Sequence, residues 1–391
     1  MPWRMRHLIL GAAGIHAADQ LLLAALPLIG GVVLHLEPQA IAALVAMPGF
    51  AWLIASLPAG VLVDRWPRRR VLLLAAGLTL GGLLAAMLAP DARALGLAAL
   101  LGSLGTVVFV LAAGATVPVL AAREGFAGAN ARLELARAGA SLLAPVIAGW
   151  CAARGLGMLA LGLGALGAMA ALGGTARLTT LPPPPAQHAP ILAGLKEGAL
   201  FLARQPLLRS VFGCALCWNF GFFAWLAAAV PFALHVAGLS AAETGMAQAG
   251  YGFGMILGAA LAPWMLRQAP PALVLLGGPG ISVLAAPLLI GAPGAPALAI
   301  GAFLLGFGPM QWAIAQVSLR QAVTPPALLG RVGASLQLAI YGVRPLGALA
   351  SGAAMAAWGP GGGIALAGCA FLASFLVSAF SPLARLRAMP G

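Results

Sequence analysis

Long apolar stretches, rather than short alternating ones, dominate the hydropathy pattern of this 391-residue chain. An α-helix needs about 20 apolar residues to cross the hydrocarbon core of a bilayer. Strands of an outer-membrane barrel would instead alternate apolar and polar positions, so that class is excluded. With Gly, Pro or charged residues as boundaries, the pattern predicts twelve spans, at roughly 8–34, 40–63, 71–89, 94–120, 130–152, 155–173, 207–237, 243–265, 271–291, 295–319, 331–357 and 361–381.

The composition agrees with a membrane protein. Hydrophobic residues make up 62% of the chain and charged residues 7%, and the mean hydropathy is +1.02. A soluble domain carries about 25% charged residues, and a disordered chain needs low hydrophobicity. Both classes are therefore excluded, and we predict an all-α, multi-pass membrane protein.

One long polar stretch, 174–206, interrupts the apolar pattern near the middle of the chain. It holds four consecutive prolines, 182–185, which form a stiff spacer, and then an amphipathic piece around Lys196 to Arg209. This stretch predicts an N-terminal six-helix bundle at 1–173, a cytoplasmic linker at 174–206 and a C-terminal six-helix bundle at 207–391.

The basic residues orient the spans. If the N-terminus is cytoplasmic, 17 of the 21 Lys and Arg residues lie on the cytoplasmic side, two lie outside (Arg93 and Arg154), and two lie within spans (Arg137 and Arg344). Basic residues favour cytoplasmic loops, so both termini are expected inside. The net charge of +13 is then a topology signal, and no nucleic-acid partner is expected.

The two halves resemble each other at an offset of about 200 residues. Span five begins with a basic residue, Arg132, and carries Pro145 further along; span eleven repeats this with Arg331 and Pro345. Repeated halves are typical of secondary transporters, which place the substrate site near the bilayer midplane between them.

The loop between spans two and three carries the most specific motif, Gly60-Val-Leu-Val-Asp64-Arg65-Trp-Pro67-Arg-Arg-Arg-Val-Leu72. It resembles the signature of the major facilitator superfamily, Gly-x-Leu-x-Asp-Arg-x-Gly-Arg-Lys-x-x-Leu, in the same loop. Pro67 replaces the second Gly of that signature. With twelve spans in two halves, the resemblance covers the whole chain and implies the fold of that superfamily, without identifying a substrate.

The resemblance also implies a conformational latch. In the family, the Asp of this loop interacts with the start of span eleven in the outward-open state. A helix N-terminus favours an anion, which gives such a latch a physical basis. The residues that the resemblance assigns to it are Gly60, Asp64, Arg65, Arg68, Arg69, Gly330 and Arg331.

Two further stretches narrow the resemblance. Residues 129–132 and 144–149 look like the span-five antiporter motif, with one Gly changed to Ala. Residues 329–332 and 341–347 look like the bacterial exporter branch that includes enterobactin exporters. The basic residue that the superfamily carries inside span four is absent, because Arg93 lies at the outer edge.

Polar residues fall on single faces of spans one and five. At about 100° per residue, His16, Asp19 and Gln20 share one face of span one. Glu134, Arg137 and Ser141 share one face of span five. A charge inside the bilayer usually faces a protein interior or a water-filled cavity. We therefore expect proton coupling at Asp19, Glu134 and His16.

Span eleven presents a matching polar face, and spans seven, eight and ten add polar or aromatic residues such as Gln248 and Tyr251. Spans three, six, nine and twelve carry no charge, His, Asn or Gln in their apolar stretches, as expected for lipid-facing helices. The predicted substrate cavity is lined by Gln20, Arg137, Trp218, Asn219, Gln311, Trp312, Gln316, Gln337, Tyr341 and Arg344.

These features predict a secondary active transporter, driven by protons and exporting a small polar or aromatic molecule such as a siderophore or a drug. Two alternatives stay open: a proton symporter that imports an anionic metabolite, and a lipid flippase on the same fold. No nucleotide-binding loop, metal-ligand cluster or nucleophile–base pair indicates an enzyme, a cofactor or a metal. We expect a monomer in a bacterial-type inner membrane, with the bilayer, protons and a small molecule as partners.

Overall fold

The computed structural model describes residues 3–120, 126–178, 191–325 and 328–388, and these are helical almost throughout, with no strand among them. In the first half, the helices are α1 (Trp3–Leu28, continued by a π-helix, Ile29–Val33), α2 (Pro38–Arg65), α3 (Arg68–Met87), α4 (Ala92–Leu120), α5 (Phe126–Ala152) and α6 (Gly157–Ala176). In the second half, they are α7 (Ile191–Arg204), α8 (Pro206–His235), α9 (Ala241–Gln248), α10 (Gly250–Gln268), α11 (Pro271–Ser282), α12 (Ala285–Gly291), α13 (Ala295–Val323) and α14 (Leu329–Ala379). A short 3₁₀ helix, Pro382–Arg385, ends the described chain.

Eleven helical segments within the described ranges are long and apolar enough to cross a membrane. The last, α14, has 51 residues and contains two helices joined at a kink, where Trp358 and Gly359 leave helical geometry. Gly359 has a φ of 69°, a conformation that favours glycine. Counting α14 as two gives the twelve predicted helices, so the all-helical membrane fold is confirmed. The cytoplasmic placement of the termini stays a prediction.

The predicted spans differ from the helices mainly at their ends. Helix α1 begins at Trp3 rather than near residue 8, and α5 begins at Phe126 rather than near residue 130. The amphipathic piece expected up to Arg209 ends at Arg204, and Arg209 lies in α8. Backbone hydrogen bonding continues past the apolar stretch, so a hydropathy boundary marks the edge of the hydrocarbon rather than the end of the helix.

Predicted span nine is broken into α11 and α12. At the break, the amides of Val283 and Leu284 bond to carbonyls only three residues back, a tighter arrangement than the α-helix. Pro287 lies four residues after Val283 and has no N–H to donate to its carbonyl. The proline therefore accounts for the interruption.

The first compact unit comprises Met1–Gln187 together with Ser240–Met246. Within it, α1 packs against α5 and α6, and α3 packs against α4. Glycines allow the backbones to approach closely, since a Cβ at Gly14 would overlap the backbone of Gly167, and one at Gly82 would overlap that of Gly102. Small residues serve this purpose at membrane helix interfaces.

The second compact unit comprises His188–Leu239 and Ala247–Gly391. Helix α8 packs along α14, and α10 packs against α13. Two serines fix the α8–α14 contact: Ser351 Oγ donates to the carbonyl of Ala224, and Ser374 Oγ donates to that of Cys214, each over 2.9 Å. The division into 1–173, 174–206 and 207–391 stays a prediction.

Helix α7, from the predicted linker, packs on the beginning of α14 in the second unit. Glu197 forms an ion pair with Arg331, and Ser335 Oγ donates to the carbonyl of Leu195 over 2.9 Å. Gly198 lies directly against the Arg331 carbonyl. The linker therefore contains a docked helix as well as the proline-rich stretch, which lies outside the described residues.

Candidate functional site

The first unit gathers the predicted polar residues of α1 and α5 into one group, called here the proton cluster: His16, Asp19, Gln20, Glu134, Arg137 and Ser141. Gln20 Nε2 donates to Asp19 Oδ2 over 3.0 Å. Ser141 Oγ, on α5, donates to Gln20 Oε1 over 2.8 Å. The two helices are thus joined by a polar chain. The helical periodicity predicted a polar face on each helix but not this contact between them.

The charged pair of the proton cluster lies on α5, with Arg137 one turn and Glu134 about two turns before Ser141. Glu134 accepts from Nε and Nη2 of Arg137, over 2.9 and 2.6 Å. Glu134 is exposed and Arg137 is half-buried, so water screens the attraction between them. His16 is buried on α1, within range of both charges.

The second unit gathers α8 and α14 around Arg344. Arg344 Nε donates to Asn219 Oδ1 over 3.2 Å, and Asn219 Nδ2 donates to the Ala215 carbonyl over 2.9 Å. The guanidinium carbon lies 4.7 Å from the ring centroid of Tyr341 and 5.4 Å from that of Phe223. Both distances are within the range of cation–π attraction.

An aromatic row extends from this arginine. Trp218 and Phe222 stack with centroids 5.0 Å apart and planes 12° from parallel, and Phe222 lies 5.1 Å from Tyr251. Trp218 Nε1 donates to Ser282 Oγ over 3.0 Å, which fixes one end of the row. Together with Asn219, Phe223, Tyr341 and Arg344, these residues form what we call the aromatic cluster.

Helix α13 contributes three predicted residues with unsatisfied polar atoms. Among the described residues, Gln311 Nε2, Trp312 Nε1 and Gln316 Oε1 are buried without a hydrogen-bond partner. Gln316 does donate to the Ala313 carbonyl over 3.2 Å. Buried polar groups are normally paired, so these atoms are suited to a bound molecule or water. Gln337, on α14, is exposed.

Sequence reasoning missed Phe222 and Phe223. Both are apolar residues within an apolar span, so they give no contrast in the hydropathy pattern. Their spacing could have indicated them, because Phe222 follows Trp218 and Phe223 follows Asn219 by four residues. Residues four apart lie near the same helix face.

The predicted latch residues lie at helix ends. Gly60 and Arg65 are exposed near the end of α2, and Arg68 and Arg69 open α3. Arg69 Nη2 donates to the carbonyl of Ala176, at the end of α6, over 2.8 Å, and a cation there complements the helix dipole. The side chain of Asp64 lies outside the described residues. Gly330 and Arg331 are in the first turn of α14, where Arg331 pairs with Glu197.

Enterobactin exporters share sequence with the chain over most of its length. The enterobactin exporter EntS of Shigella boydii serotype 18 is 31% identical over 306 residues, which cover 74% of this chain and 70% of the relative. EntS of Escherichia coli O81 matches to the same extent.

Solved structures match over nearly the whole chain. A crystal structure of the nucleoside transporter NupG has a TM-score of 0.78 at 15% identity and covers 96% of this chain and 98% of its own. The D-xylose-proton symporter has a TM-score of 0.73 at 16% identity and covers 97% and 98%. At these identities the likeness concerns the fold alone.

The family description that matches is the Major Facilitator Superfamily, over residues 8–348. This match covers most of the chain and includes the loop motif between α2 and α3. Members of this family are membrane-embedded transporters of small molecules, not enzymes. The chain belongs to the Major Facilitator Superfamily and is a multi-pass secondary transporter.

Proposed function

We propose that the chain is a proton-driven exporter of a small polar molecule with an aromatic, anionic character, such as a siderophore. The observation that carries the proposal is the aromatic cluster. It presents a guanidinium flanked by Tyr341 and Phe223 beside a stacked row of Trp218, Phe222 and Tyr251. A planar cation suits anionic oxygen atoms, and ring faces suit an aromatic group.

The similarity to enterobactin exporters supports export as the direction of transport. Alternating access would come from rocking of the two halves about a central site. Asp19, assisted by Glu134 and His16, would take up and release the coupling proton. A carboxylate within a membrane helix is costly unless it has such a use.

Import of an anionic metabolite with a proton is the second candidate. Arg344 is equally consistent with this candidate, because a cation at a substrate site attracts an anion in either direction of transport. We further propose a monomer in a bacterial inner membrane with both termini in the cytoplasm, with Asp64 latching the cytoplasmic start of α14 in the outward-open state.

Two experiments test the proposed function. A strain that lacks the gene should accumulate the exported molecule in its cells and secrete less of it than the complemented strain. Purified protein in liposomes should then transport that molecule only when a proton gradient is imposed, and in the direction opposite to the flow of protons. If the protein instead takes up an anion together with protons, the second candidate is correct and export is not. Transport unaffected by a proton gradient would contradict both candidates.

A further inference from the structure

The side-chain amide of Gln20 lies between the Asp19 carboxylate, which accepts a hydrogen bond from it, and the Ser141 hydroxyl, which donates one to it. An ionised carboxylate can only accept hydrogen bonds, so the side that faces Asp19 is the amide NH₂, 3.0 Å from Oδ2. The amide oxygen then faces Ser141, whose hydroxyl donates over 2.8 Å. The hydroxyl, the amide and the carboxylate form one chain of bonds that all point towards the negative charge.

We propose that Ser141 is a positioning residue for proton coupling: through Gln20 it holds a donor on ionised Asp19 and transmits the protonation of Asp19 to α5. The inference rests on the proposed coupling role of Asp19. It gives Gln20, predicted only to line the substrate cavity, a role between the proton site and the neighbouring helix.

Protonation of Asp19 reverses the requirement at its end of the chain. The new O–H is a donor, and it finds an acceptor when the Gln20 amide turns end for end. The NH₂ group then donates to Ser141 Oγ, and the Ser141 proton goes wholly to the Arg137 carbonyl, which already lies 3.0 Å away. One proton on α1 thereby changes the bonding of α5, one turn from the Arg137–Glu134 pair.

The chain of hydrogen bonds from Ser141 through Gln20 favours the ionised form of Asp19 over the protonated one. Bonds that end on a charge are about twice as strong as neutral ones, and aligned bonds polarise each other. In the protonated form every bond of the series joins neutral groups, and the Ser141 hydroxyl donates to a carbonyl within its own helix, a bond that contributes little. Removal of the hydroxyl therefore makes protonation easier.

The other charged groups near Asp19 are few. His16 lies one turn away on α1, whose first turns also carry Arg4, Arg6 and His7. Helix α5 carries Arg132, Glu134 and Arg137, with Cys151 near its end. Helix α6 carries no titratable side chain, and the remaining helices packed on α1 carry charges only near their ends: Asp64 and Arg65 on α2, Arg68, Arg69 and Arg70 on α3, and Arg93 on α4. His16, Glu134 and Arg137 stay unchanged in every variant below.

The test is a titration of the Asp19 carboxyl by infrared spectroscopy in purified protein, with Asp19→Asn as the blank, alongside the pH profile of transport. Ser141→Ala should move both midpoints upward by roughly half to one pH unit, the equivalent of one hydrogen bond. Gln20→Leu should move them further, and the double variant should match Gln20→Leu alone, because Ser141 acts through Gln20.

Ser141→Thr retains the hydroxyl and should keep the wild-type midpoints. Ser103→Ala is the matched control, since Ser103 is buried in α4 and its hydroxyl has no partner among the described residues. If Ser141→Ala does not insert, Ser141→Cys, with its weak donor, replaces it. Unchanged midpoints in Ser141→Ala, or additive shifts in the double variant, would overturn the inference.

The two readouts separate this inference from the proposed function. If the carboxyl midpoint shifts in Ser141→Ala but transport does not depend on pH, the positioning of Asp19 by Ser141 is supported and proton-driven export is refuted. A transporter that loses coupling in Asp19→Asn, yet keeps its carboxyl midpoint in Ser141→Ala, would retain the proposed function and refute the positioning role.

Discussion

Arg344 Nε donates to Asn219 Oδ1 over 3.2 Å, which joins the middle of the α14 segment that precedes the kink to the middle of α8. The guanidinium carbon lies 4.7 Å from the ring centroid of Tyr341 and 5.4 Å from that of Phe223. The arginine side chain combines a planar group that can lie over aromatic rings with N–H donors in the plane of that group, and lysine lacks this combination. The geometry of the cation, and not only its charge, is therefore built into the aromatic cluster.

Substitution of Arg344 should separate geometry from charge. Arg344→Lys keeps the charge but loses the bond to Asn219, so transport efficiency should fall about 10- to 100-fold, as expected for a hydrogen bond to a charged group. Arg344→Gln should nearly abolish transport. Efflux from liposomes at several substrate concentrations measures both effects.

Arg154→Lys is the matched control, because the Arg154 guanidinium also lies over a ring, 3.9 Å from the centroid of Trp150, but outside the aromatic cluster. It should transport normally. If both Arg344 variants transport normally and only melt at lower temperature, Arg344 supports the helix before Pro345, and the argument for an anionic substrate loses its main support.

Sequence periodicity placed polar residues on one face of α1 and one face of α5, while their coupling role stays a prediction. Asp19, Gln20 and Ser141 are polar residues in apolar helices, so each face could be found from spacing alone, whereas the bond between Ser141 and Gln20 could not. Phe222 and Phe223 gave no such contrast. Periodicity assigns a face to a residue, but which apolar face meets a given neighbour depends on tertiary packing.

The contact between Glu197 and Arg331 could not be found from local patterns either. The two residues are separated by 134 positions. The family resemblance assigns Arg331 to the latch, and the acidic Glu197 gives no signal in a count of basic residues. The break between α11 and α12 was not predicted either, because several helices, such as α5 with Pro145 and α8 with Pro231, continue past a proline.

Phe222 should contribute to substrate affinity through its ring. It lies between Trp218 and Tyr251, and an aromatic contact contributes about 0.5–1.5 kcal/mol. Phe222→Ala should therefore raise the KM for an aromatic substrate about 2- to 10-fold with little change in the maximal rate. Concentration-dependent efflux measures the two separately.

Phe303→Ala provides the comparison for Phe222. Phe303 also belongs to a stacked pair, with Phe307 at 5.3 Å and 15°, but it lies in α13 against Phe253, outside the aromatic cluster. It should lose stability without a change in KM. Equal KM effects in the two variants would mean that Phe222 acts only through packing.

Asp19→Asn should abolish proton-coupled transport while the protein still folds and inserts, because the amide keeps the size of the carboxyl but cannot take up a proton. Flux driven by a pH gradient in liposomes measures the coupling. Asp91→Asn, which changes a carboxylate that accepts from the Ala94 amide at the start of α4, is the control and should retain coupled flux. Unchanged gradient-driven flux in Asp19→Asn would exclude this carboxylate as the coupling site.

Asp64→Ala should favour the inward-open state, because the resemblance to the family assigns this carboxylate to a latch at the start of α14 and a helix N-terminus attracts an anion. Cysteines at the end of α2 and at the start of α14 should then crosslink less often than in the protein with Asp64. Asp91→Asn serves again as the control. Equal crosslinking with and without Asp64 would refute the latch.

Two glycines of α7 should respond in opposite ways to alanine, because they face the same residue at different distances. A Cβ at Gly198 would overlap the Arg331 carbonyl, whereas a Cβ at Gly194 would lie 3.7 Å from Arg331 Cγ, an ordinary contact. Gly198→Ala should lower stability by about 1–3 kcal/mol, the usual cost of overpacking, and should separate Glu197 from Arg331. Gly194→Ala should be neutral or raise stability by up to about 1 kcal/mol, since alanine favours the helix.

Thermal unfolding in detergent compares the two, with Glu197→Gln as a third variant that removes the ion pair without a steric change. If Gly198→Ala is as stable as Gly194→Ala, α7 does not depend on its close contact with α14, and the docked linker helix would need another source of stability.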